Sequence, residues 1–182
     1  SAIRLISKAA ELDPVSTAIL KDKGMIYCYA GRYDKAIEIA KKTLELDPQY
    51  PAAHRLMSLC YMGLEKYDEA IKENTKWGGL TGNKPEADFC LAHIYALSGR
   101  VKESRDLIEK VLSESPMVDN VYRGLAMVYS ALGDIDIGLD MLEKSFELKE
   151  IALLSMKVDP KLENLRSEAR FQVLLDKMGV AR

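Results

Sequence analysis

The side chains able to do chemistry are few and scattered. Two histidines, His54 and His93, and three cysteines, Cys28, Cys60 and Cys90, are spread over 182 residues. The cysteines lie 32 and 30 residues apart, which is neither a disulfide framework nor a ligand cluster. No histidine is placed by sequence to activate any one of them, so they read as packing thiols in a reducing, cytoplasmic setting. No His-Glu-x-x-His, Cys-x-x-Cys or calcium-loop spacing occurs. Asp134-Ile135-Asp136 follows Gly133 where a helix should begin, and carboxylates there complement the helix dipole rather than bind metal. Gly78-Gly79-Leu80-Thr81-Gly82-Asn83-Lys84 has a superficial likeness to a phosphate loop. It lacks the Gly-x4-Gly-Lys-Ser/Thr spacing and no strand precedes it, so it reads as an early helix end and a longer flexible loop, with Trp77 packed beneath. No catalytic residue, cofactor or metal is expected, and the chain does not read as an enzyme.

Charge and hydropathy narrow the partners. Twenty-six basic against 28 acidic side chains leave a net charge of −2, without the basic excess of a nucleic-acid or membrane-surface protein. No apolar run approaches the roughly 20 residues that span a bilayer. What remains is an ordinary globular composition, 48% hydrophobic, whose elements must explain what it does.

Those elements repeat. Tyr27, Tyr61, Tyr95 and Tyr129 stand 34 residues apart each time. Gly31, Gly99 and Gly133 share that register, with Glu65 at the remaining position, as do Pro14, Pro48 and Pro116, with Gly82 as the exception. Two columns are small: Gly24, Ser58, Ala92, Ala126, and Ala2, Ala36, Ala70, Ser104, Gly138. In the first unit Leu20, Gly24 and Tyr27 share one helix face, and Gly31 ends that helix in the left-handed conformation. A second helix runs from about Asp34 to Leu46, burying Ala36, Ile37, Ala40 and Leu44, and Leu46-Asp47-Pro48 closes the unit. Small residues where two helices cross let the backbones approach, while the tyrosine fills the volume beside them.

Leu20, Gly24, Tyr27, Ala36 and Pro48, with their equivalents, resemble the tetratricopeptide repeat, a helix–turn–helix unit of this length. The resemblance implies an all-α fold, a right-handed superhelical solenoid of such repeats with a helical C-terminal cap. It places complete repeats at 17–50, 51–84, 85–118 and 119–150. Residues 1–16 match only the second helix of a preceding repeat, which predicts either a fragment of something longer or a first helix docking elsewhere. Residues 151–182 lose the register and should form the cap. There Asp159-Pro160 and Ser167-Glu168 are expected helix starts, Phe171, Leu174, Leu175 and Met178 an apolar face, and Arg166, Glu168, Arg170, Asp176 and Lys177 the polar exterior. Lys157-Val158-Asp159-Pro160, Leu165-Arg166-Ser167, Arg170-Phe171 and Met178-Gly179 also resemble the endings of repeat arrays in bacterial multidomain regulators, where the array follows a cyclase, winged-helix or Ser/Thr kinase domain.

In this family the first helices line a concave surface, which implies protein binding. Here the stripe comprises Lys21, Met25, Arg55, Leu59, Met62, Phe89, His93, Arg123 and Met127. Methionine adapts to irregular partner surfaces, and Lys21, Arg55 and Arg123 share one column that can pair with carboxylates. The stripe is therefore read as a groove for an amphipathic segment with apolar anchors and a few acidic groups. The alternative is that curvature buries much of it between neighbouring first helices. His54, in the column of Leu20 and Tyr122, reads as a packed, hydrogen-bonded histidine. The carboxylate clamp of chaperone-adaptor repeats is not expected, because Met25, Leu56, Glu86 and Cys90 in one register, and Leu59, Cys90 and Gly124 in the next, do not supply it. The functional expectation is a scaffold binding a peptide or a partner domain, including a domain of its own parent chain. The second expectation is a regulatory arm of a bacterial signalling enzyme or transcription regulator; a third, an RNA-binding helical repeat, is disfavoured by the 34- rather than 35-residue period and the net charge of −2, and self-association is a further expectation.

Overall fold

The period of 34 resolves into helical hairpins. The computed structural model describes residues 2–114, 120–150, 156–157 and 159–179, and among these every regular element is helical. Pro116, the start of the cap at 151–155 and Val158 lie outside the described residues. The chain divides into two compact units, 1–87 and 88–182. The first holds α1 (Ala2–Leu12), α2 (Thr17–Tyr29), α3 (Tyr33–Leu46), α4 (Pro51–Gly63), α5 (Tyr67–Thr81) and the start of α6 (Lys84–Leu97). The second holds the rest of α6, α7 (Val101–Glu114), α8 (Val121–Leu132), α9 (Ile135–Glu147), a 3₁₀ helix (Pro160–Leu165) and α10 (Ala169–Lys177).

The tight turns explain the tyrosine and glycine columns together. Gly31, Gly99 and Gly133 sit at φ +70°, +76° and +80°, the left-handed region that costs a residue without Cβ least. The next residue then donates its N–H to the carbonyl of the periodic tyrosine: Arg32 to Tyr27 at 2.9 Å, Arg100 to Tyr95 at 2.8 Å and Asp134 to Tyr129 at 3.0 Å. This is the 6→1 bond of a Schellman cap. Glu65, the exception in the glycine column, adopts the same conformation at φ 58°, and Lys66 donates to Tyr61 at 2.9 Å. The geometry is kept where the residue type is not.

The two small columns meet inside each hairpin. Ser58 on α4 donates its hydroxyl to the Ala70 carbonyl on α5 at 3.0 Å, and Ser104 on α7 donates to the Ala92 carbonyl on α6 at 2.8 Å. Gly24 of α2 is packed so closely that an added Cβ would lie 2.2 Å from Leu56 Cδ2. Around these crossings Cys28, Ala36, Ile37, Ala40, Ala53, Leu56, Met57 and Cys60 form the core of the first unit. In the second unit Phe89, Ala92, Ile108, Val111, Leu125 and Val128 form one cluster. Leu139, Leu142, Met156, Leu162, Leu165, Phe171, Leu174 and Leu175 form another.

Two expectations need correction. The Gly78–Lys84 stretch is not a long loop: α5 continues through Gly78 and Gly79 to Thr81 and ends at Gly82, φ +66°. Two interior glycines cost a helix about 1 kcal/mol each relative to alanine, but Gly78 lets α5 lie against α6, where an added Cβ would come within 2.7 Å of Ala87 Cβ. Asn74 locks the contact by donating to the Ala87 carbonyl at 2.9 Å, and Trp77 is buried. The cap also differs in detail. Asp159 does start a helix, accepting from the Lys161 N–H at 3.1 Å, but the helix is 3₁₀. Glu168 rather than Ser167 precedes α10, with no side-chain cap bond. Arg170 lies at the surface as expected, its side chain 39% exposed, and it also ties α10 to α9, bonding Glu143 at 2.9 and 3.0 Å and Asp140 at 2.6 Å.

Candidate partner-binding face

In the first unit the stripe lies on α2 and α4. Ser16 caps α2, accepting from the Ile19 N–H at 3.4 Å, and Pro51 opens α4, where its missing N–H costs nothing. Lys21, Met25, Arg55, Leu59 and Met62 are all half-buried, so each keeps an accessible edge. The two cations are already engaged. Lys21 Nζ lies 2.9 Å from Asp22, a bond that holds its ammonium above the usual lysine range. Arg55 reaches Glu86 at 3.2 Å, and its guanidinium stacks 5.1 Å from the Trp77 ring centroid. Its side chain is nevertheless 43% exposed, and a pair so open to water contributes about 0–1 kcal/mol. A ligand carboxylate can replace Glu86 at little cost.

Behind this face the polar groups are structural. His54 Nδ1 lies 2.6 Å from Glu73 Oε2, and Lys76 holds the other oxygen at 2.7 Å. Burial works against ionising Glu73, but the bonds from Lys76 and His54 outweigh it and hold the carboxyl below its ordinary range. Cys60 shares a hydrogen bond with Cys28, which together with burial pushes its thiol well above the usual range, the opposite of an activated nucleophile. Among the described residues no three His, Cys, Asp or Glu side chains converge on a metal position.

In the second unit the stripe is covered. Phe89, His93 and Met127 are only 3%, 4% and 3% exposed, so they do not line an open groove. Phe89 packs on Gly124, where an added Cβ would be 3.0 Å from the ring, so the expected alternative of burial between first helices holds for it. His93 donates from Nδ1 to the Met127 carbonyl at 3.0 Å; burial first, then the nearby Lys161 charge, lowers its pKa to about 4. Met127 packs with Met156, Leu162 and Leu165 of the cap. Arg123, expected to wait for a ligand acid, is paired with Asp159. Burial opposes the Asp159 charge, and Lys161 and Arg123 outweigh it and lower its pKa.

Two family profiles described as tetratricopeptide repeat match the chain, over residues 1–51 and 29–77. The chain carries tetratricopeptide repeats. The fold matches repeat structures along most of its length. A thermophilic tetratricopeptide protein of Thermus thermophilus has a TM-score of 0.65 at 17% identity, covering 95% of this chain and 88% of that one. MamA from Desulfovibrio magneticus gives 0.55 at 16% identity over 81% and 83% of the two chains. A tetratricopeptide protein of Parabacteroides merdae gives 0.54 at 16% identity over 98% and 66%. At these identities the likeness is one of fold. Among curated proteins none matches the chain in sequence.

Several tetratricopeptide contacts carry no periodic signal and were not legible. Glu150 accepts from the Tyr122 and Arg123 N–H groups at 3.2 and 3.1 Å, and so caps α8 from beyond α9. The Arg170 clamp and the Arg123–Asp159 pair join the repeats to a segment outside their register. Asp134, weighed as a helix-start carboxylate, accepts from Arg105 at 2.6 Å.

Proposed function

We propose that the chain is a cytoplasmic scaffold that binds a polypeptide segment on the α2–α4 face of its first unit, with Lys21, Met25, Arg55, Leu59 and Met62 as the contact residues. Tetratricopeptide repeats generally serve as protein-interaction scaffolds and are generally not enzymes. The observation carrying the finer reading is the half-exposed Met25, Leu59 and Met62 beside the water-accessible Lys21 and Arg55. That pairing of adaptable apolar area with exchangeable cations suits an amphipathic segment bearing carboxylates. Phe89, His93, Arg123 and Met127 act instead as the packing that keeps the second unit closed. The division into repeats at 17–50, 51–84, 85–118 and 119–150 is part of this reading.

Selection of a displayed random-peptide library on the full chain tests it. Enriched sequences should combine apolar and acidic residues, and should bind Lys21→Glu/Met62→Asp at least tenfold more weakly while the helical content of that variant is unchanged. Absence of enrichment, or equal binding by the variant, would overturn the reading.

A further inference from the structure

The core of the first unit holds two nucleophilic side chains that the binding face does not use. Cys28 on α2 and Cys60 on α4 share a hydrogen bond there, packed among Ala36, Ala40, Ala53 and Met57. The approach of the two helices brings the thiols together. One turn before each cysteine, an added Cβ on Gly24 would lie 2.2 Å from Leu56 Cδ2. Residues four apart share a helix face, so α2 and α4 run parallel through this contact, and the next turn of each sets thiol against thiol. The two differ in access: Cys28 is 7% exposed and Cys60 0%. Cys90, also a free and buried thiol, belongs to the second unit and serves as an internal reference.

We propose that Cys28 and Cys60 are a redox-modification site, oxidised by a small hydroperoxide to a disulfide that staples α2 to α4. Cys28, the thiol with an accessible edge, gives up its proton and attacks one oxygen of hydrogen peroxide. The O–O bond breaks, the departing oxygen takes that proton and leaves as water, and Cys28 becomes a sulfenic acid. The Cys60 sulfur then attacks the Cys28 sulfur, the S–O bond breaks, and hydroxide leaves as water with the Cys60 proton. In sum both thiols are oxidised to one disulfide and hydrogen peroxide is reduced to water. The shared hydrogen bond orients the second step, because it holds Cys60 beside the sulfur it must attack. That bond and burial also keep the Cys60 thiol protonated, so the reaction is slow and answers to sustained exposure, while bulky disulfide oxidants are shut out. The bridge closes a loop containing α3 and so restrains the unfolded chain. The site stands on the thiol pair alone and does not depend on peptide binding by the α2–α4 face.

The test treats the folded full chain with hydrogen peroxide, quenches with catalase, alkylates free thiols in denaturant and reads the products by mass spectrometry. A crosslinked peptide pair carrying Cys28 and Cys60 is expected, with Cys90 alkylated and dithiothreitol restoring every thiol. The bridged form should unfold at least about 5 °C above the reduced form in a thermal melt. Cys60→Ala should abolish the bridge and leave Cys28 as a sulfenic acid that dimedone traps, with circular dichroism confirming the fold of the variant. Should that variant not fold, the wild-type crosslink and its melt decide alone. Free Cys28 and Cys60 after treatment, a bridge that involves Cys90, or conversion of Cys28 to a sulfinic acid without a bridge would overturn the proposal. So would a bridge that forms only in denaturant, or one that leaves the melting temperature unchanged.

Discussion

His93 makes the stability of this protein depend on pH in a way that can be isolated. Its imidazole is buried, donates to the Met127 carbonyl and has a pKa lowered to about 4, with Lys161 adding to the penalty on charge and Asp159 opposing it. In the unfolded chain an imidazole protonates near pH 6.5. Acidification through this interval therefore gives the unfolded chain a proton that the folded chain refuses. Stability is fully present above about pH 6.5 and falls as the pH drops toward about 4. Integrating from about pH 7.5 to about pH 4.5 gives a loss of about 2.5 kcal/mol from this one group. The perturbation is His93→Asn, which keeps a nitrogen donor for Met127 but cannot titrate. Urea unfolding followed by circular dichroism at both pH values should show the variant losing about 2.5 kcal/mol less than wild type across the interval. The absolute cost of the smaller side chain cancels in that comparison. Equal losses in the two proteins, or an imidazole resonance titrating near pH 6.5 in the folded chain, would refute the burial argument.

Three further outcomes follow from the packing. Gly24→Ala should destabilise by about 1–3 kcal/mol despite the better helix propensity of alanine, because the added methyl strikes Leu56; a thermal melt of the variant checks it. Asp159→Ala should cost about 3–5 kcal/mol in chemical denaturation, because it leaves the Arg123 cation largely buried without its partner. Arg170→Ala should cost about 1 kcal/mol or less and the loss should shrink in high salt, since Asp140 and Glu143 are half-exposed and screened.

What the sequence makes legible is whatever repeats. The tyrosine and glycine columns fix the hairpin turns because one backbone geometry recurs four times, so even Glu65 can be placed. The small columns locate the helix crossings for the same reason. Legibility fails where a contact occurs once. Gly78-Gly79 reads as a break, because local propensity favours a loop and only the approach of Ala87 makes the helix worthwhile. The stripe from Lys21 to Met127 looks uniform in sequence, yet Phe89, His93 and Met127 are buried, since a period marks equivalent positions without saying what packs over each. The cap supplies Asp159 and Leu162 from outside the register, so no column could announce them.

The proposed scaffold function rests on the α2–α4 face capturing polypeptide. Hydrogen–deuterium exchange of the full chain with and without a library-selected peptide reads this most directly. Added protection should fall on the amides of α2 and α4 and be absent in Lys21→Glu/Met62→Asp. Protection on α8 instead, or an exchange pattern the peptide leaves unaltered, would contradict it.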